Sequence, residues 1–195
     1  MLSVIIATMD SERALVPTLA ALVPGAAGGL ISEAIIADAG SRDQTAEVAD
    51  IAGCRLMVTA GPPGARLHAA ALAARAPWLM FLRPGLVLDV TWIAEVTRFI
   101  AEVDTGAAGD LRAAVFRPGR TGRNARPMLV EAFALIRASL GGRARPDQGL
   151  LISKRFYQQL GGYRADVADS ETDLLRRLGA RRSVMLRCAA VSTDV

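Results

Sequence analysis

The sequence predicts an α/β fold with a mostly parallel sheet flanked by helices. Short β-branched runs alternate with amphipathic stretches at the pace of βαβ units. The runs end in polar or glycine-containing loops, where parallel sheets bind their ligands. A composition of 52% hydrophobic, 22% charged and only 5% aromatic residues supplies an aliphatic core. At 195 residues the chain fits one domain, with about 1–89 as one half and about 90–195 as the other.

The elements follow in order. LSVIIA (Leu2 to Ala7) lacks helical periodicity and reads as a strand. The polar knot TMDSE follows it, then a helix that places Leu15, Leu19 and Leu22 on one face. EAIIAD (Glu33 to Asp38) is a second strand, AGSRD a turn, and TAEVADIAG a helix closed by Gly53. RLMVTA is a third strand. GPPGARLHAAALAARA opens on turn residues, continues as a helix, and leads through Pro77 into the strand WLMFL. Beyond Asp89 come a helix at about Thr91 to Val103, a strand AAVF, the arginine-rich loop RPGRTGRNARP and a helix MLVEAFALIRASL. The turn GGRARPDQG, a strand LLIS, a short helix KRFYQQLGG, a helix around SETDLLRRLG and a last strand SVMLRCAAV complete the chain.

The net charge of +4 rests on arginine, since Lys154 is the only lysine, and planar guanidinium groups suit phosphate. There is no basic run interleaved with aromatics and no zinc-finger spacing, which argues against nucleic acid as a partner. Cys54 and Cys188 belong to no CxxC, and the start of the chain lacks a leader pattern, so a reduced, cytoplasmic protein is expected. Arg75 and Pro77 interrupt AAALAARAPWLMFL before it reaches the roughly 20 apolar residues that a membrane span requires. An oxidoreductase on a dinucleotide fold is disfavoured by the absence of GxGxxG after the first strand.

DAGSRDQT, Asp38 to Thr45, combines an acid at a strand end with a tight turn and a helix start. Asp38 can accept hydrogen bonds from a ribose or a base N–H. Gly40 and Ser41 allow close backbone approach, and Ser41 or Asp43 can cap the helix. The same residues also make an ordinary capped loop.

Taken together, SVIIATMDSE, AIIADAGSRDQT, GARLHAAALAARAPWLMFLRP and DQGLLISKRFYQQLGGY resemble glycosyltransferase family 2 in order and spacing, most strongly over residues 2 to 88 and 147 to 178. The resemblance implies a GT-A fold, a Rossmann-type nucleotide-binding half joined to an acceptor-side half. It also implies inverting transfer of a sugar from a UDP- or GDP-type donor to an unknown acceptor. By position, Thr8 and Asp10 flank the base, Asp10 standing where the family usually has Asn, and Asp38 falls on the base- or ribose-binding acid. Gly64 and Arg66 fall on the segment near the donor phosphates, where a helix N-terminus adds partial positive charge. Asp147 and Gln148 fall on the acceptor side, with Pro146 in place of a glycine. His68, one turn into its helix, reads as a half-buried polar residue rather than a base, and the GGY at 161 to 163 reads as a helix cap.

Two departures bear on the chemistry. Mg²⁺ or Mn²⁺ is usual in the family, held by a DxD-type motif after the fourth strand, but here Arg83, Pro84 and Gly85 stand there. Asp89 lies farther on and can substitute only if the loop folds back. Arg83 either neutralises the leaving diphosphate itself, or the site has lost metal and catalysis together. The second departure is at the base: SETDLLRRL places Glu171 where the family has its catalytic acid, with Asp169 and Asp173 as competitors. The rival function is a nucleotide-sugar-binding or regulatory protein without turnover. The arginine-rich loop at 117 to 126 is also a candidate for peripheral contact with anionic lipid.

Overall fold

The computed structural model describes residues 1–106, 111–119 and 145–193. The strands are β1 (Leu2–Thr8), β2 (Ile31–Asp38), β3 (Arg55–Val58), β4 (Trp78–Leu82), β5 (Leu86–Leu88), β6 (Ala113–Pro118), β7 (Leu150–Ser153) and β8 (Ser183–Ser192). The helices are α1 (Glu12–Ala27), α2 (Thr45–Ile51), α3 (Pro63–Ala73), α4 (Trp92–Asp104), α5 (Lys154–Gln159) and α6 (Ser170–Leu178). Among the described residues these strands form one sheet in the order β3-β2-β1-β4-β7-β6-β8-β5. The first four run parallel, β7 is antiparallel to β4 and β6, and β6 is parallel to β8. The α/β expectation therefore holds, with a parallel half followed by a mixed half.

Strand alternation divides the core into two layers, because successive side chains point to opposite faces. Val4, Ile6, Met80 and Leu82 pack on one face with Leu15, Leu19 and Leu22 of α1 and Trp92 and Phe99 of α4. Ile5, Leu79 and Phe81 pack on the other with Leu67 of α3, Phe156 and Tyr157 of α5, and Leu174 of α6. The carboxyl ends of β2, β1 and β4 consequently lie side by side, as Thr8↔Asp38 and Ile6↔Leu82 are registered pairs.

One element was not anticipated. Leu86–Leu88 forms β5, antiparallel to the end of β8, with Leu86 opposite Ser192. Three residues carry too little periodicity to announce a strand whose partner lies about a hundred residues away. This pairing also decides the place of Asp89, whose carboxylate accepts from the Ala189 amide and from the amide and hydroxyl of Thr91. Asp89 is held on β8 as a structural clasp and makes none of these bonds with the loop of Arg83.

The helix expected over MLVEAFALIRASL, and the arginine-rich loop from residue 120 onward, lie outside the described residues. Among the described residues no helix is long and apolar enough to cross a membrane.

Candidate active site

The loops after β1 and β2 are laced together by side chains. Asp38 is 2% exposed, and its carboxylate accepts from the Thr8 hydroxyl (2.7 Å), the Ser41 hydroxyl (2.5 Å) and the amides of Gly40 (2.8 Å) and Ser41 (2.7 Å). Gly40 makes this turn at φ +89°, a conformation that a residue with a Cβ adopts at a cost. Burial pushes the Asp38 pKa up, but the Ser41, Thr8 and Gly40 donors outweigh it and hold the carboxyl below its ordinary value. A carboxylate has about four acceptor positions, and all are filled. A nucleoside reaches Asp38 only by displacing a donor, most readily the Ser41 hydroxyl, which turns on a single torsion.

Asp10 sits at φ +47°, in the left-handed region that Asp and Asn tolerate best among residues with a side chain. Its amide donates to Ser41 Oγ and its carboxylate accepts from the Arg42 amide. Asp43 accepts from the amides of Glu12 and Thr45, the first residues of α1 and α2, while Glu12 accepts from Gln44. Two helix starts thus cap one another across the sheet edge. The sequence pointed to Asp43 as a cap for its own helix, whereas the reciprocal bonds span 31 and 32 residues.

Arg66, on α3, is 5% exposed and turned inward. Its Nη1 donates to Thr8 O (2.5 Å) and Ala37 O (3.0 Å), tying the ends of β1 and β2. Burial lowers its pKa, and the charge of Asp38 opposes that shift. Among the described residues its buried Nε has no hydrogen-bond partner. Gly64, two residues earlier, packs against the start of α6: a Cβ there would come within 2.3 Å of Ser170 Oγ and 2.6 Å of Ser170 Cβ. Gly64→Ala is therefore expected to cost about 1–3 kcal/mol through overpacking. A urea melt would show this as a lower midpoint, and an unchanged midpoint would mean the two helix starts are not locked together.

The end of β4 brings two expectations into contact. Arg83 Nη2 donates to Glu171 Oε2, so the residue standing at the metal motif and the residue standing at the base form one ion pair. The Arg83 side chain is 51% exposed and that of Glu171 is 20% exposed. Burial lowers the Arg83 pKa, but Glu171, with Asp147 and Asp169 farther off, overrides it and raises the value.

The competing acids are occupied. Asp173 is buried and paired with Arg176 and Arg177, and Asp169 accepts from the Thr172 amide as the cap of α6. The Thr172 hydroxyl and amide lower the Asp169 pKa, which makes it a weak base.

In the turn that the resemblance assigns to the acceptor side, Gln148 is buried and shapes the chain, donating to Phe116 O (3.0 Å) and accepting from the Arg145 amide (2.6 Å). Asp147 stays exposed. His68 is half-buried, as expected, and its Nδ1 pairs with the Tyr157 hydroxyl at 3.0 Å. The GGY segment does more than cap a helix. Tyr163 lies behind the Arg83–Glu171 pair, and its phenol pKa is raised by burial and by the charge of Glu171.

Thr8, Gly64, Arg66, Arg83 and Glu171 all line one cleft of about 460 Å³, an ordinary size for a small-molecule site. Asp10, Asp38, Gly40 and Ser41 stand behind it as loop-shaping residues. A guanidinium stands at the end of β4 where the resemblance expects a carboxylate ligand, and this residue does not fit a divalent metal.

The family model for glycosyl transferase family 2 matches residues 3–168. Among solved structures, glucosyl-3-phosphoglycerate synthase from Mycobacterium tuberculosis in complex with Mn²⁺, UDP and glucosyl-3-phosphoglycerate is similar at 19% identity, with a TM-score of 0.70 over 100% of this chain and 72% of that one. The same enzyme with Mn²⁺ and UDP-glucose has a TM-score of 0.66 at 20% identity, over 95% of this chain and 68% of that one. Residues 1–349 of S. aureus TarS give a TM-score of 0.70 at 15% identity, over 98% of this chain and 60% of that one. At such identities the likeness shows the fold. No curated protein sequence matches the chain significantly.

Proposed function

Because the chain belongs to glycosyltransferase family 2, with a GT-A-type fold, we propose that it transfers a sugar from a UDP- or GDP-type donor to an acceptor hydroxyl with inversion, and without a metal. The observation that carries this reading is the single cleft running from Thr8 to Arg83 and Glu171. The nucleoside would lie against the laced loops of Thr8, Asp10, Asp38, Gly40 and Ser41. The diphosphate would run past the N-terminus of α3, at Gly64 and Arg66, toward Arg83.

In the transfer, the acceptor oxygen bonds to the anomeric carbon as its proton passes to Glu171. The bond from that carbon to the phosphate oxygen breaks with its electron pair, leaving nucleoside diphosphate. Arg83 takes up the charge that the leaving group gains, as a guanidinium paired with phosphate oxygens can. Asp147 stands on the acceptor side, with Gln148 holding its turn.

The structures of relatives bound to UDP, UDP-glucose or phosphoglyceric acid support a nucleotide-sugar donor and leave the acceptor of this chain open. A second reading, a nucleotide-sugar binder without turnover, is favoured by one observation: Arg83 and Glu171 already neutralise each other.

Calorimetry with UDP, GDP and their sugar conjugates tests the donor site. Binding is expected to be equal in Mn²⁺ and in EDTA, and to weaken about tenfold or more in Arg83→Ala, as loss of a charged phosphate contact would give. Binding that requires Mn²⁺, or that is unchanged in Arg83→Ala, would refute the metal-free reading.

A further inference from the structure

The Arg83–Glu171 pair stands at the proposed donor site, and the inference rests on that reading. A carboxylate oxygen that already accepts from a guanidinium N–H is taken up by that bond and is not free to accept from an acceptor hydroxyl. A phosphate and a carboxylate also compete for the same fork of N–H donors. We propose that the donor's diphosphate takes Arg83 away from Glu171, and that this exchange frees the base.

Both partners have room to exchange and main chains that stay in place. Arg83 is half-exposed, while its carbonyl accepts from the Leu86 amide at 3.1 Å and the Gly85 amide donates to Ala14 O at 2.8 Å. Glu171 follows Ser170, which is buried against Gly64 at the start of α3. Only side-chain torsions need to change. Asp147 and Asp169 bear on Arg83 as well, so its guanidinium is not tied to Glu171 alone.

The sheet also predicts which ligands make the exchange. Asp38 ends β2 and Leu82 ends β4, with β1 between them, and two strand spacings come to about 10 Å. A nucleoside held at the β1 and β2 ends places its second phosphate near Arg83. A nucleoside monophosphate stops short.

The test measures the affinity of UDP and UMP, with GDP and GMP as the guanosine pair, in EDTA. The proteins are the native chain, Glu171→Gln, Arg83→Ala and the double variant. Removing the competing charge is expected to tighten diphosphate binding about fivefold, the scale of a partly exposed ion pair, and to leave monophosphate binding unchanged. In the Arg83→Ala background the same change is expected to have no effect.

If the native protein binds the diphosphate and Glu171→Gln binds it no better, the exchange does not occur. A parallel change for the monophosphate would show a general effect of the variant and would likewise overturn the proposal. If neither nucleotide of either pair binds the native protein, the donor-site reading falls and takes this proposal with it.

Discussion

Glu171→Gln is expected to lower sugar turnover by about 10²–10⁴-fold, the range that a positioned general base contributes. The substitution keeps the shape of the side chain and removes its ability to accept a proton. Neighbouring acids are poor replacements. Asp173 is buried between two arginines, and Asp169 is the cap of α6 with a depressed pKa. Ser170, packed against Gly64, fixes the start of the helix, so the variant should fold as the native chain does. The predicted signature is therefore loss of turnover with tighter diphosphate binding. Turnover that persists in Glu171→Gln would move the base elsewhere.

Asp38→Ala is expected to cost about 1–3 kcal/mol of stability, the cost of leaving buried donors without their acceptor. The loss has two parts. The carboxylate accepts four hydrogen bonds, and its removal leaves the buried Thr8 hydroxyl and the turn amides short of a partner. It also leaves the Arg66 guanidinium buried without the charge that offsets its desolvation.

The same group gives the protein an acid limb. The Asp38 pKa is lowered on folding, so its contribution is fully present above the ordinary carboxyl value of 3.8 and fades as pH falls through the depressed one. Urea midpoints measured from pH 7 down to about pH 3 should fall at the acid end for the native protein and fall less for Asp38→Ala. A native-like midpoint in Asp38→Ala at pH 7 would show that the loops do not depend on this carboxylate.

The parts of the fold that were legible in sequence are those encoded locally. WLMFL and LLIS are β4 and β7 to the residue, because an apolar run of this length, bounded by breakers or a cap, is long enough for a strand and too short for a helix. The sequence marked Arg83 at the end of the fourth strand as a departure from the family pattern and Glu171 as the acid at the base position, each by itself. Partnership across the fold was not legible.

Arg83 and Glu171 are 88 residues apart, and the pattern around each assigned them separate tasks. Arg66 and Asp38 carried a motif for binding a ligand, and the structure shows how fully both are engaged with the protein's own main chain and loops. Tyr163 was hidden in a glycine cap because only the packing of α5 and α6 carries its ring behind the ion pair. A cue for the reciprocal caps was present in TMDSE and SRDQT, two capping-rich segments that follow neighbouring parallel strands.

The most direct test of metal-free transfer is proton NMR of the native protein with a panel of UDP- and GDP-sugars in EDTA, with water as the acceptor, following the anomeric proton. The account predicts release of nucleoside diphosphate together with free sugar whose first-formed anomer is opposite to that of the donor. A sugar released with retained configuration, or a donor that binds and stays intact, would contradict it.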